Sequence, residues 1–445
     1  MMCGKLLVIA PSAYTLSGLA TWLNYLLPGL AGLGWDVTLG LVSGPRHHCP
    51  AKYLALHPFS SVEVIHCACS TPVGRVEAVR IAIRRTKPAV VLTVNIPDAL
   101  KAAALERVSG RDVRAVMSCH GIQEDLFNDM RLLRSDIDAV VCTNRLARRL
   151  SSTVGQIAAN RVFHCAYGAQ VPASVPAAPR NTVFTIGYSG RLEQAQKRIH
   201  DVIEIAIRLK AQGQLFRILI AGSGPAQNSF RNRIVQSGLG REFEMLGTVS
   251  PEQLSEKLYQ VSDALIVPSS WETGPLVIWE AMAAGAPVVT SRYTGSGLES
   301  LLWHDKNCLM FDVGDTSAAA AEIIRLQSDH ELRSRIRSAA FSTVCEKLSW
   351  EVSVANWDKI LQEVCQRPGM ISHVSPPSPA SGRLSRILGD KGASIVRKIF
   401  RRLPPDSGPG GEWPHAVTGA IMPECEFLEF AMSLDRRETT GGTGI

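Results

Sequence analysis

The chain lacks any apolar run of about twenty residues, the length a helix needs to span a bilayer, so a transmembrane helix is not expected. Its eleven cysteines show no paired spacing. Cys67 and Cys69 stand too close together to be half of a zinc knuckle without a partner pair, and Cys3, Cys49, Cys119 and Cys308 are scattered. They read as reduced, mostly buried thiols of a cytosolic protein. The histidines show no metal-ligand spacing, and no side chain stands out as a nucleophile. Charged residues make up only 20% of the chain against 46% hydrophobic, which implies a mostly globular protein. The N-terminus holds one short apolar run, LLVIAPSA after Lys5, and α/β sequence continues behind it. It reads as a buried first strand and not as a signal peptide.

What is present is alternation. Strand patterns at 5–11, 36–42, 62–67, 89–95, 114–121, 139–144 and 161–168 are separated by helical ones. The first helix carries Trp22, Leu23, Leu26, Leu27, Leu30 and Leu33, and Gly34 ends it. Short apolar strands between helices imply a parallel sheet covered on both faces, here a Rossmann-like domain over residues 1–170. Residues 171–181 are rich in proline and alanine and read as a linker. The pattern then restarts at 182–190, 216–224, 243–249, 264–270 and 287–291, with helices over about 316–346, giving a second Rossmann-like domain over 182–350. A helix over 351–368 with Val354, Trp357, Ile360, Leu361 and Val364 on one side is expected to cross back to the first domain. Two such domains make a cleft at the carboxyl ends of their strands.

The stretch from Ala264 to Ser291 concentrates the chemistry. It reads as strand, loop, helix, strand, with Pro275 at the first helical position and Gly285 at the end. Glu272 lies in the loop and Glu280 about a turn and a half inside the helix. Helix N-terminal N–H groups attract a phosphate while carboxylates reach for hydroxyls, a combination that suits a nucleotide sugar. Arg191 and Lys197 lie just past the first strand of the second domain. Alone they would read as solvated surface charges. In the same domain as the two glutamates they become candidates to neutralise a departing nucleoside diphosphate.

Other features have plainer readings. Asp136-Ile137-Asp138 imitates a metal-binding aspartate pair but precedes a strand, so it reads as a solvated helix end. Trp271 and Trp279 read as packing residues, His120 alone as a satisfied strand-end histidine, and Gly222-Ser223-Gly224 as a tight turn or a ligand contact. Residues 371–382 are proline-rich and read as disordered. Between 383 and 403 seven cations face one anion, giving 7 − 1 = +6 of the chain's +7. There Leu384, Ile387, Leu388, Ile395, Val396, Ile399, Phe400 and Leu403 recur at helical spacing. Such a segment can lie on an anionic membrane face, pack on the enzyme as a helix, or form a poorly ordered extension; Gly389 and Gly392 interrupt it. Beyond Pro404 the sequence reads as loop.

SGRLEQAQKRIHDVI (189–203), AGSGP (221–225) and ETGPLVIWEAMAAGAPVV (272–289) together resemble the retaining glycosyltransferases of GT-B architecture known as glycosyl transferases group 1. The resemblance spans about residues 5–366 and leaves the tail without a counterpart. It implies two Rossmann-like domains facing a central cleft, with the donor nucleotide-diphosphate sugar held mainly by the second and a saccharide, lipid-linked or small-molecule acceptor by the first. It implies no cofactor and no essential metal. By resemblance Arg191 and Lys197 meet the donor diphosphate, Glu280 the ribose hydroxyls and Glu272 the transferred sugar beside its reacting carbon. Val249 contacts the base, the Leu276 backbone donates to phosphate, Gly18 opens space in the first loop, and His120 hydrogen-bonds the donor sugar. Three positions depart from the pattern: Ser17 where a first glycine is common, Pro275 where many relatives have glycine, and Cys308 after Asn307. The expected protein is a retaining, metal-independent transferase of the cytoplasm, with peripheral membrane contact through 383–403 as one reading of the tail and no nucleic-acid partner. A catalytically silent nucleotide-sugar-binding module and a nucleotide-sugar epimerase of the same fold are the alternatives.

Overall fold

The computed structural model describes residues 4–13, 17–67, 71–371, 388, 392, 396 and 410–435. Most of the basic 383–403 segment therefore lies outside the described residues. Two compact units emerge. The first comprises Met1–Thr143, Ala147–Cys165 and Val354–Phe427. The second comprises Asn144–Leu146, Ala166–Ser353 and Leu428–Ile445.

The first unit holds a seven-stranded parallel sheet: β1 (Lys5–Pro11), β2 (Asp36–Ser43), β3 (Val62–His66), β4 (Val90–Val94), β5 (Arg114–Cys119), β6 (Ala139–Cys142) and β7 (Val162–His164). Its order is β3-β2-β1-β4-β5-β6-β7. Helices α1 (Gly18–Gly32), α2 (Pro50–Leu56), α3 (Pro72–Thr86), α4 (Asp98–Val108), α5 (Glu124–Leu132) and α6 (Arg145–Thr153) form the crossovers. β4, β5 and β6 are buried along their whole length. Such strands are covered on both faces and so read as continuous apolar runs instead of alternating ones. α1 starts where the Ser17 hydroxyl accepts from the Ala20 N–H, and Gly34, at φ +97°, turns the chain out after it.

The second unit repeats the plan with β8 (Phe184–Ser189), β9 (Phe216–Ala221), β10 (Phe243–Gly247), β11 (Ala264–Val267), β12 (Val288–Ser291) and β13 (Leu309–Phe311), in the order β10-β9-β8-β11-β12-β13. Its helices are α7 (Ile199–Ala211), α8 (Gln227–Gln236), α9 (Pro251–Leu254), α10 (Leu276–Ala283), α11 (Thr316–Ser328) and α12 (His330–Lys347). Its core gathers Phe184, Ile186, Tyr188, Phe230, Ile266 and Ile336. α13 (Trp350–Gln366) follows, and from Val354 on it belongs to the first unit. There the Trp357 ring lies 5.5 Å from Trp22, and Val354 fills the space that any side chain at Gly29 would need.

Three expectations need correction. Asp136 and Asp138 are buried, not solvated. Asp138 pairs with Arg107 at 2.8 Å and accepts from the Ala115 and Met370 N–H groups, so it is a structural anchor. Beyond Pro404 the chain is not all loop: α14 (Glu424–Leu434) forms there, with Phe427 and Ala431 buried at i, i+4. Ahead of it Trp413 is buried in the first unit and donates from Nε1 to the Ser43 carbonyl, while Glu412 accepts from the Arg46 and His47 N–H groups. Finally, α10 begins at Leu276. Pro275 precedes it with an extended ψ of 93° and so caps the helix instead of occupying its first turn. Among the described residues no helix is long and apolar enough to cross a membrane.

Candidate functional site

In a parallel sheet, ligands sit beyond the carboxyl ends of the strands, where the strand order reverses. In the second unit that point lies between β8 and β11, which are direct neighbours. Arg191 and Lys197 follow β8, Glu272 follows β11, and Val249 follows β10 two residues after its end. Six of the eight residues singled out by sequence thus belong to this unit: these four on loops leaving the same end of the sheet, and Leu276 and Glu280 in α10.

The loops are tied together by side chains. Lys197 Nζ meets Glu272 Oε1 at 2.6 Å, and the Ser269 hydroxyl donates to the same oxygen at 2.6 Å. Glu272 is buried while Lys197 is about one-fifth exposed, so the pair lies at a surface opening. Glu193 accepts from the backbone N–H groups of Gln196 and Lys197 and closes the Lys197 loop on itself. Gln196 then joins that loop to the next: its side chain donates to the Trp271 carbonyl, and its own carbonyl accepts from the Ser270 N–H. Arg191 is exposed beside them. The turn Gly222-Ser223-Gly224 has a packing reason for its glycines: a Cβ at Gly222 or Gly224 would strike the carbonyls of Gly190 and Leu192.

Three residues after Glu272, at Pro275, the chain enters α10, whose N-terminus has no side-chain cap. Its first N–H groups therefore carry the positive end of the helix dipole without a carboxylate or hydroxyl of the cap residue to consume it. Leu276 occupies that first turn with its side chain buried, so the backbone is what it presents. One turn on, Glu280 Oε2 accepts from the Tyr259 hydroxyl at 2.8 Å. Burial raises the Glu280 pKa, and the Tyr259 hydrogen bond opposes that rise. Burial likewise pushes up the Tyr259 hydroxyl, with the Glu280 charge adding to it.

Gly18 and His120 belong to the first unit, at the carboxyl ends of β1 and β5. Gly18 is exposed at the first position of α1. The His120 ring packs edge-on against Trp22 of the same helix, with centroids 4.7 Å apart. Burial lowers its pKa to about 3, so at neutral pH the imidazole is uncharged. It can exchange hydrogen bonds with hydroxyls but cannot serve as a cation.

Sequence reasoning missed Tyr259, Ser269, Glu193 and Gln196. Ser269 was within reach as the hydroxyl three residues before Glu272; Tyr259 lies 21 residues before its partner and left no signal. The expected packing role of Trp279 holds, since it is buried. Among the described residues no group of three or more His, Cys, Asp or Glu side chains is placed to hold a metal ion. The described cysteines are free thiols, with Cys67, Cys119, Cys142, Cys165 and Cys308 buried.

Residues 175–343 match the family described as glycosyl transferases group 1. An uncharacterized glycosyltransferase of Methanocaldococcus jannaschii is 33% identical over 135 residues, covering 30% of this chain and 34% of that protein. The N-acetyl-alpha-D-glucosaminyl L-malate synthase of Bacillus anthracis is 27% identical over 168 residues, 38% of this chain and 42% of the relative. The matches thus span well under half the length of these relatives. Among solved structures, Anabaena HepE in complex with UDP and glucose superposes with a TM-score of 0.66 at 18% identity, over 81% of this chain and 100% of that one.

Proposed function

We propose that the protein transfers a sugar from a nucleotide-diphosphate sugar with retention of anomeric configuration, on the strength of the match of residues 175–343 to glycosyl transferases group 1 and of the GT-B fold. The observation that carries this is the Lys197–Glu272 pair at the uncapped start of α10. It puts one mobile cation and one carboxylate side by side where a diphosphate would meet helix N–H groups.

Each group then has a task. On donor binding, Lys197 turns from Glu272 to the diphosphate and, with Arg191 and the N–H groups at Leu276, stabilises the charge that grows as the nucleotide leaves. A donor of this kind, aimed at developing charge, is worth roughly a hundredfold or more in rate. Glu272, released, accepts from hydroxyls of the transferred sugar beside its reacting carbon. Glu280, held by Tyr259, accepts from the ribose, and Val249 borders the base. By the resemblance, His120, neutral, hydrogen-bonds the donor sugar, and the missing side chain at Gly18 leaves room for phosphate and acceptor. No nucleophilic side chain is needed. The acceptor oxygen bonds to the anomeric carbon on the face from which the phosphate departs. The C–O bond to phosphate breaks with its electron pair on oxygen, and that oxygen takes the acceptor proton. The cations and the helix dipole supply the electrostatics that a metal provides elsewhere. The HepE complex with UDP makes UDP-glucose the first donor to try.

The test is NMR of donor cleavage with a panel of nucleotide sugars in excess EDTA. We expect UDP release at an undiminished rate and a first-formed sugar or glycoside with the donor's configuration. Loss of activity in EDTA restored by Mn²⁺, or an inverted product, would refute the mechanism.

A further inference from the structure

A carboxylate from the C-terminal extension is bound into the loop that backs Glu272. Asp435, the residue after α14, is buried. Its Oδ2 accepts from the N–H groups of Gly295 at 2.7 Å and Gly297 at 3.0 Å, and its Oδ1 from Leu298 at 3.0 Å. Three backbone donors converging on one side chain is the arrangement of an anion-binding nest, here filled by the chain itself. Gly295 holds φ +109°, a conformation glycine alone adopts readily, and its missing side chain is also what the site requires: a Cβ there would strike the Glu272 carbonyl. The loop thus lies directly on the Glu272 backbone. It is also laced to it: the Thr294 N–H donates to the Ser270 carbonyl at 2.9 Å, and the Glu272 N–H donates to the Thr294 carbonyl at 3.0 Å.

We propose that Asp435 is a positioning residue: by gathering the three N–H groups of the 295–298 loop it fixes the strip at Thr294 on which Glu272 is hung. The C-terminal segment of the second unit is then part of the catalytic apparatus, acting through backbone instead of touching substrate. The carboxylate charge strengthens each of its three bonds, and the glycines it holds have no side chains of their own to fix the loop. Without Asp435, the Gly295 carbonyl keeps its bond from Asn144 Nδ2 and the Glu272 carboxylate its bonds from Lys197 and Ser269, but the three N–H groups lose their acceptor and the strip beneath the Glu272 backbone loosens. The catalytic consequence rests on the role given to Glu272 above; the ordering of the loop does not.

The experiment uses the full chain with Asp435→Ala, and with Asp435→Asn as a milder variant that keeps one carbonyl acceptor. Amide hydrogen exchange is followed in peptides covering 269–275 and 292–300, with the β8 and β9 strands as internal reference. Both loop peptides should exchange at least about tenfold faster while the reference strands stay unchanged. In parallel, kcat for UDP-glucose cleavage should fall about ten- to a hundredfold with KM within about threefold, the pattern of misplacement and not of lost donor binding. Asp435→Asn should fall between the two. Unchanged exchange across 269–275, unchanged kcat, or equal acceleration in the reference strands overturns the proposal. If the unaltered protein fails to cleave UDP-glucose, the donor assignment fails, and the exchange data still decide whether Asp435 orders the Glu272 loop.

Discussion

Replacing Lys197 by methionine should do more than slow the reaction; it should unsettle the unit that carries it, and UDP should abolish that penalty's dependence on Glu272. At 2.6 Å and an effective dielectric constant of about 20, a unit charge pair attracts by about 6 kcal/mol before desolvation is counted. Glu272 is buried, so removing its partner leaves a carboxylate with only the Ser269 hydroxyl, a loss of about 3–5 kcal/mol for a fully buried pair. Lys197 retains about one-fifth of its exposure, so water recovers part of the loss and the lower bound, about 3 kcal/mol, applies. The assay is a double-mutant cycle of Lys197→Met and Glu272→Gln, with urea-dependent exchange of the β11 amides reporting on the second unit alone. The coupling energy should be about 3 kcal/mol without ligand and below about 1 kcal/mol in saturating UDP, because the ammonium has then left Glu272 for phosphate. Coupling under about 0.5 kcal/mol without ligand, or coupling unchanged by UDP, would refute the idea that Lys197 changes partners.

Two other outcomes follow from single contacts. Tyr259→Phe removes the hydroxyl that orients Glu280 and should weaken UDP binding about tenfold by calorimetry, as Glu280→Gln should; wild-type affinity in both would remove the ribose assignment. His120 titrates at about 3 in the fold against about 6.5 when exposed, so between those values the unfolded chain takes a proton that the folded one refuses. Its contribution is intact above pH 6.5 and is lost as pH falls towards 3. Between pH 6.5 and 5 it should account for roughly 1.5 kcal/mol of the first unit's stability loss, absent in His120→Gln; equal pH slopes in the two proteins would contradict it.

The elements legible in the sequence were those whose cause is local. Runs such as VVLTV and ALIV are buried on both faces and announce themselves, and the α10 segment carried both glutamates in a single motif. The strand ends were read too long, because residues such as Gly121 and Asn144 continue the composition after the hydrogen-bonded ladder has stopped. β13 escaped notice since three residues are too few to show a period. α14 was hidden by its exposed face: glutamates and polar residues alternate with apolar ones, and only Phe427 and Ala431 are deeply covered. Asp138 could not be understood without Arg107, 31 residues away. Asp435 was illegible for the same reason, its partners lying 137 to 140 residues upstream.

Helix α13, packed on α1, sets a timetable. Gly29 leaves room for Val354, and Trp22 receives Trp357, yet the chain between Cys165 and Val354 must be made first. At about 5–20 residues per second, the ribosome delivers the closing helix on the order of 10–40 s after the seventh strand. Throughout that interval the nascent first unit presents an open groove at Trp22, which only a segment made after the second sheet can close.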